Sequence, residues 1–508
     1  MKKAISIILA VAIMISICSS AVAANEKCSC DMMPVIYVPG FGEPIYLNPG
    51  SDDEVSLFPP EQDAIDASIP DIVKAVIFGL LSGNFEAFGK YAINIAETML
   101  KPAACDKEGN APENTGVDYE PPVNDTHKQT AFPATEDDDE GYFCFLYDWR
   151  IDPLENAKLL KEYIDEVKAI TKHDKIILTA HSQGNTVVAS YLYLYGNSGI
   201  EKAVFLSPAY QGLSLIGSIF AQEYSLSEKG DDLANCLLGI MGYEDTVSQL
   251  VSAVIKEINK AGIVDGILDY LQLVLESQFD RVFEESLRDI LGTLPGVWAF
   301  VPDEYYETAK SAIFGSNGEY GVFIEKIDNY HYNVQKNIVS ILNEVKAGGT
   351  AIVIAAGYNI SSIPVTKSDA AQSDYLVDTE YMTLGATCAP YGESLGKNYL
   401  QKNTACGHNH VSPDGIIDAS TCAFPEHTWF VKNNPHHNLY EPYTDFIEWA
   451  IRYDGQPTVD SSNLYPQFIQ ISDGEIRPVQ SGSAGETRSN GEIIITSLIM
   501  LLKDAFAE

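Results

Sequence analysis

The chain has 508 residues, 46% of them hydrophobic, and a formal net charge of −39 at pH 7. Such a chain can bury a sizeable core, and its acidity argues against nucleic acid as a partner, because the surface would repel phosphates. The acidic excess reads as a solvated surface rather than a binding feature.

Lys2 and Lys3 precede an apolar run from Ala4 to Ile17, followed by Ala21-Val22-Ala23. A short basic stretch, a short apolar stretch and an A-x-A site read as a secretory signal peptide over residues 1–24, with secretion as the expectation. The apolar stretch is too short to span a bilayer comfortably. Cys18 lies inside the signal-peptide segment, which leaves eight of the nine cysteines. An even number in an exported chain is compatible with disulfides, without giving their connectivity.

Residues 34–38 form a short apolar run ended by Pro39-Gly40-Phe41-Gly42, the pattern of a buried strand entering a tight turn. Residues 71–100 read as helical with a break at Gly83, and 106–140 as a long polar surface loop. Residues 142–147 read as a second buried strand. Asp152 and Pro153 then open a helix, with Ala157, Leu160, Ile164 and Val167 on one face. A strand at 176–178, a sharp turn at 180–184, a helix from Asn185 and a strand at 203–206 follow. Strands alternating with helices predict a mostly parallel sheet covered on both faces. Residues 213 to about 345 break the rhythm with helical stripes, one of which includes Leu268, Leu271, Leu275, Phe279 and Phe283. Strand character returns at 351–355.

Ala180-His181-Ser182-Gln183-Gly184 sits between an apolar strand and a helix. A nucleophilic serine needs its Oγ thrust out of the sheet on a strained turn. Small residues two before and two after it let strand and helix approach. Ser182 is therefore the candidate nucleophile, although Ala180 stands where glycine is usual. His181 reads as a packing or supporting residue. An oxyanion hole needs two backbone N–H donors; the candidates are Gln183, which follows the serine, and Phe41, in the loop after the first strand.

Val38-Pro39-Gly40-Phe41-Gly42, Tyr147-Asp148-Trp149-Arg150 and Ala180-His181-Ser182-Gln183-Gly184-Asn185 together resemble the lecithin:cholesterol acyltransferase family of lipases and acyltransferases. The resemblance covers roughly residues 34–212 and scattered pieces from 296 to 450. It implies an α/β-hydrolase fold, a Ser–Asp–His triad in that chain order, and lipid or other ester substrates. Asp148 and Arg150 are expected to be structural. Asp414, in Asp414-Gly415-Ile416-Ile417, resembles the family's acid string and takes the acid's position, with Asp418 and Asp378 as fallbacks. The histidine is His436 or His437, and Leu439 three residues beyond favours His436.

Cys406, His408, His410, Cys422 and His427 also cluster in sequence, as zinc ligands can. The paired C-x-x-C spacing is missing, so a disulfide is the expectation, and neither a metal nor a cofactor is assigned.

The resulting expectation is a three-layer α/β hydrolase with an inserted helical cap. A signal peptide at 1–24 precedes the first core part at 25–212, the cap or lid at 213–345 and the second core part at 346–455. A C-terminal segment over 456–508 carries a strand, a linker and a short apolar helix. The substrate would be an ester or lipid, with transient contact to a lipid surface. A peptidase or thioesterase on the same fold, and a non-catalytic binding protein on a hydrolase scaffold, are the rival readings.

Overall fold

The computed structural model describes residues 28, 33–59, 86–119, 121–122, 143–223, 278, 280–315, 318–363, 371–472 and 474–481. The signal-peptide segment, residues 224–277 of the expected cap and the terminal apolar run lie outside the described residues. So do Leu268, Leu271, Leu275 and Phe279 of the lid stripe.

Eight strands build the central sheet: β1 (Val35–Val38), β2 (Phe143–Cys144), β3 (Ile176–His181), β4 (Ile200–Leu206), β5 (Ala351–Tyr358), β6 (Thr428–Lys432), β7 (Phe468–Ser472) and β8 (Glu475–Pro478). Their order across the sheet is β8-β7-β6-β5-β4-β3-β1-β2. Every neighbouring pair is parallel except β7 and β8, which form an antiparallel hairpin at one edge. β1, β3, β5 and β6 are buried at every position. This is why they read in sequence as continuous apolar runs rather than alternating ones.

Parallel neighbours require a helical crossover. The chain supplies α1 (Pro153–Thr171) between β2 and β3, and α2 (Gly184–Tyr195) between β3 and β4. α1 starts where Asp152 accepts the N–H of Leu154 at 2.9 Å with Pro153 in the first turn, and its apolar face is wholly buried. Burying each Leu or Ile of that face contributes about 1.5–3 kcal/mol. The helix ends at Lys172, which adopts a left-handed φ of 59°. On the other face of the sheet, the helix Tyr443–Arg452 packs Phe446, Ile447 and Ile451 against Val204, Val353 and Val431. Lys202 of β4 caps that helix: its buried Nζ donates to the carbonyls of Ala450, Ile451 and Tyr453 at 2.7–3.0 Å. Burial lowers the lysine to about 8. With helices on both faces of a mostly parallel sheet, the architecture is a three-layer α/β fold.

Three boundaries differ from the sequence reading. The expected strand at 142–147 is laddered only over Phe143–Cys144, because β2 is the sheet edge and the chain then turns away to deliver Tyr147–Arg150. The last helix of the expected cap, Ile338–Ala347, is not a cap element. It feeds directly into β5 and packs on α2, so it completes the β4–β5 crossover. Val297, Trp298, Phe314 and Phe323 likewise belong to the same apolar cluster as the sheet's inner face. Finally, β7 and β8 fall in the expected C-terminal segment yet extend the central sheet.

Candidate active site

β1 lies between β2 and β3, so the connections leaving the carboxyl ends of β1 and β3 diverge there. Such a reversal of strand order opens a crevice in which ligands bind. Ser182 stands at this point, on the turn between β3 and α2, with a positive φ of 51°. A non-glycine residue in that region is uncommon and marks a strained, over-determined turn. The restraints are visible. The Ser182 N–H donates to the Leu206 carbonyl at 3.1 Å, and Asn185 Nδ2 donates to the carbonyls of Ser182 and Leu206 at 3.0 and 3.2 Å. At Gly184 a Cβ would sit 2.3 Å from the Val38 carbonyl oxygen and 2.5 Å from that of Pro39. The glycine two residues after the serine is therefore what lets α2 start hard against the end of β1.

His436 Nε2 lies 2.8 Å from Ser182 Oγ, and His436 Nδ1 lies 2.8 Å from Asp374 Oδ2. All three side chains are buried. Asp374 is held from several sides: its Oδ1 accepts the N–H of Val377 at 2.8 Å and of Leu376 at 3.2 Å, and its carbonyl accepts the His436 N–H at 3.0 Å. Gly357, at the end of β5, allows this meeting, since a Cβ there would lie 2.6 Å from the Asn434 carbonyl oxygen and 2.7 Å from Asp374 Cβ. The adjacent His437 does not reach the serine; its Nδ1 lies 3.1 Å from the Tyr375 hydroxyl.

The structure does not bring Asp414 to the histidine. Its Oδ2 pairs with Lys432 Nζ at 2.9 Å and accepts the Tyr358 hydroxyl at 3.0 Å, while its Oδ1 accepts the Ser412 hydroxyl at 2.6 Å. Asp414 thus neutralises a buried lysine at the end of β6, and Asp374 occupies the place expected for it. The fallbacks are also engaged elsewhere. Asp418 caps a short 3-10 turn, accepting the Ser420 N–H at 3.0 Å. Asp378 accepts the Ser214 N–H at 2.9 Å and is pushed up to about 6 by burial. Asp374 carries no motif of its own, but its position after β5 is a usable signal: the acid is expected behind a late strand, before the histidine strand.

Around the serine, the Tyr147 hydroxyl donates to the Pro39 carbonyl at 3.0 Å and fixes the loop after β1. Gly40 lies so close that a Cβ there would meet Ser182 Cβ at 2.9 Å. Among the described residues, neither the Phe41 nor the Gln183 backbone N–H has a hydrogen-bond partner. The Gln183 side chain reaches away, donating to the carbonyls of Trp149 and Gly296 at 2.8 and 3.1 Å. The half-exposed Phe41 ring lies 4.3 Å, centre to centre, from Trp149, with Phe58 and Phe300 beside them. Asp148 and Arg150 are structural, as expected: the fully buried guanidinium grips Asp148 at 2.6 and 2.9 Å and also bonds the Ala103 carbonyl and Thr115.

Residues 137–236, which hold the Tyr147–Arg150 string and the serine turn, match the family model described as Lecithin:cholesterol acyltransferase. The chain resembles that family of α/β-hydrolase-type lipases and acyltransferases. The match stops short of Asp374 and His436, whose arrangement rests on the geometry above. No curated protein matches the chain. Among solved structures, "The crystal structure of Tle4-Tli4 complex" is similar at 13% identity, covering 65% of this chain and 75% of that one, with a TM-score of 0.26. A likeness at that level carries no weight for fold or function.

The expected disulfides are not seen among the described residues, where Cys105, Cys388, Cys406 and Cys422 are free thiols. Cys422 is buried and its thiol is pushed up to about 12 by burial, whereas Cys406 is exposed. His427 leaves the expected cluster too, its Nδ1 facing the Pro457 carbonyl at 3.3 Å.

Proposed function

We propose that this chain is a serine hydrolase of carboxylic esters, with Ser182 as nucleophile, His436 as general base and Asp374 as the acid that orients it. The observation that carries the reading is the continuous line Asp374–His436–Ser182, with both links at 2.8 Å, at the switch point of the sheet. His436 Nε2 takes the serine proton as Oγ bonds to the ester carbonyl carbon. The carbonyl electrons move to oxygen, and the free N–H groups of Phe41 and Gln183 are the donors for that oxyanion. When the carbonyl reforms, the alkoxide leaves with the proton from His436. Water, or an alcohol in an acyl transfer, then repeats the sequence on the acyl-enzyme. Asp374 keeps the imidazole in the tautomer that leaves Nε2 free to accept.

A lipid ester is the substrate class we favour. The family resemblance over residues 137–236 supports it, as do the aromatic rings of Phe41, Trp149 and Phe300 beside the serine loop. The basic and apolar N-terminal run with its A-x-A site supports export to the extracellular space. The purified chain should hydrolyse p-nitrophenyl esters, with kcat/KM rising with acyl length over a short series. A wild type that cleaves no member of the series above the buffer rate, or Ser182→Ala that turns over as fast as wild type, would overturn the proposal.

A further inference from the structure

Cys406, His408, His410 and Glu426 bring one donor atom each to within 4.8 Å of one another. The pairs that matter are tighter. His410 Nε2 lies 3.2 Å from Cys406 Sγ and 3.3 Å from Glu426 Oε1, and His408 Nδ1 lies 3.0 Å from the same carboxylate oxygen. With metal–nitrogen bonds of about 2.0–2.1 Å and a metal–sulfur bond of about 2.3 Å, a tetrahedral zinc site places its donors roughly 3.3–3.7 Å apart. The three close pairs already have about that spacing.

The orientation of His410 is an independent indication. This side chain is buried, and its Nδ1 faces Gln467 Oε1 at 2.7 Å. The Gln467 amide is fixed by its own bonds, since Nε2 donates to the carbonyls of Pro425 and Thr428 at 2.7 and 3.2 Å. Oε1 must therefore accept, and the ring proton sits on Nδ1. In the neutral ring the Nε2 lone pair is left aimed at a thiol and a carboxylate. A histidine that donates its outer N–H to a fixed acceptor while presenting the other nitrogen to a donor cluster is the usual support of a metal ligand.

We propose that these four residues form a zinc site, closed by four protein ligands and hence structural rather than catalytic. A thiolate, two imidazoles and one carboxylate suit a borderline-soft divalent ion rather than calcium or magnesium, which prefer all-oxygen shells. Binding would replace the Cys406 thiol proton with the metal. Asp460, with Oδ2 at 3.5 Å from His408 Nδ1, adds a second carboxylate at the rim. Glu426 stands just before the amino end of β6, and His436 follows its carboxyl end. The ion would thus tie the 401–410 loop to the root of the strand that carries the histidine, away from Ser182. This inference does not depend on the ester-hydrolase reading.

The test uses the tag-free full chain, stripped with chelator, reloaded with zinc, desalted and analysed for bound metal. One zinc per chain is expected, displaced slowly by a chromophoric chelator and raising the melting temperature. Cobalt in its place should give a thiolate-to-metal charge-transfer band. Cys406→Ser and His408→Ala, both at exposed positions, should lose the retained zinc, and Cys406→Ser should lose the band; Cys28→Ser should keep both. Gln467→Leu should weaken binding about 10–100-fold. Wild-type protein that retains no zinc, or Cys406→Ser and His408→Ala that retain it as tightly as wild type, would overturn the proposal.

Discussion

His181 Nε2 lies 2.8 Å from the carbonyl oxygen of His436, so the residue before Ser182 holds the backbone of the proposed base. Burial lowers His181 to about 3, with the neighbouring His436 adding to the effect. The ring is therefore neutral at ordinary pH and donates its Nε2–H. Replacing it with Phe removes the donor and leaves a buried carbonyl without it. Such a bond is worth about 0.5–1.5 kcal/mol, so kcat should fall about 2–12-fold with KM little changed. Equal kcat values for wild type and His181→Phe would show that the bond does not position His436.

The same group sets a pH dependence of stability. An unfolded histidine titrates near about 6.5, and the folded His181 does so near 3. Between these values the unfolded chain binds one proton more, so stability present above pH 6.5 is lost as the pH falls. The slope from one such group is about 1.4 kcal/mol per pH unit. Urea titrations of wild type and His181→Phe between pH 4 and 6.5 should diverge by up to that slope, the variant being flatter. Parallel lines would mean that His181 is not held neutral.

Asp374→Asn and Asp414→Asn should separate the carboxylate beside His436 from the one that pairs with Lys432. Asp374→Asn should lower kcat about 10⁴-fold while the protein stays folded, because the imidazole loses its orienting acceptor. Asp414→Asn should keep most of its turnover but lose about 3–5 kcal/mol of stability, since buried Lys432 loses its carboxylate. The reverse pattern in kcat and melting temperature would return the acid role to Asp414.

Neighbouring histidines should differ in the same way. His436→Ala should reduce ester turnover at least about a thousandfold. His437→Ala, which loses only the contact to the Tyr375 hydroxyl, should stay within about tenfold of wild type. Similar losses in both would argue against a single base.

The parts of this molecule legible in the sequence are those fixed by local physics. β1, β3 and β5 are buried on both faces and announce themselves as apolar runs, and the Asp152-Pro153 start of α1 follows from capping chemistry. The serine turn is equally local, since Gly184 is needed where α2 meets the end of β1. Asp374 is different. Between the end of β5 and the start of β6 the described residues add no strand to the central sheet, and nothing local says which carboxylate returns to His436. The string Asp414-Gly415-Ile416-Ile417 resembles the family's acid string, but in the structure this aspartate serves Lys432. The partners of Cys406 are not legible for a related reason: export of the chain suggests a disulfide, and only the folded loop brings His408, His410 and Glu426 around the thiol.

Reaction of the purified chain with a fluorophosphonate probe, followed by intact-mass and peptide analysis, tests the central claim most directly. One phosphonyl group on Ser182 is expected in the wild type, absent in Ser182→Ala and formed far more slowly in His436→Ala and Asp374→Asn. Wild-type protein that stays unlabelled, or Ser182→Ala that labels at the wild-type rate, would contradict the assignment of Ser182, His436 and Asp374 as one catalytic unit.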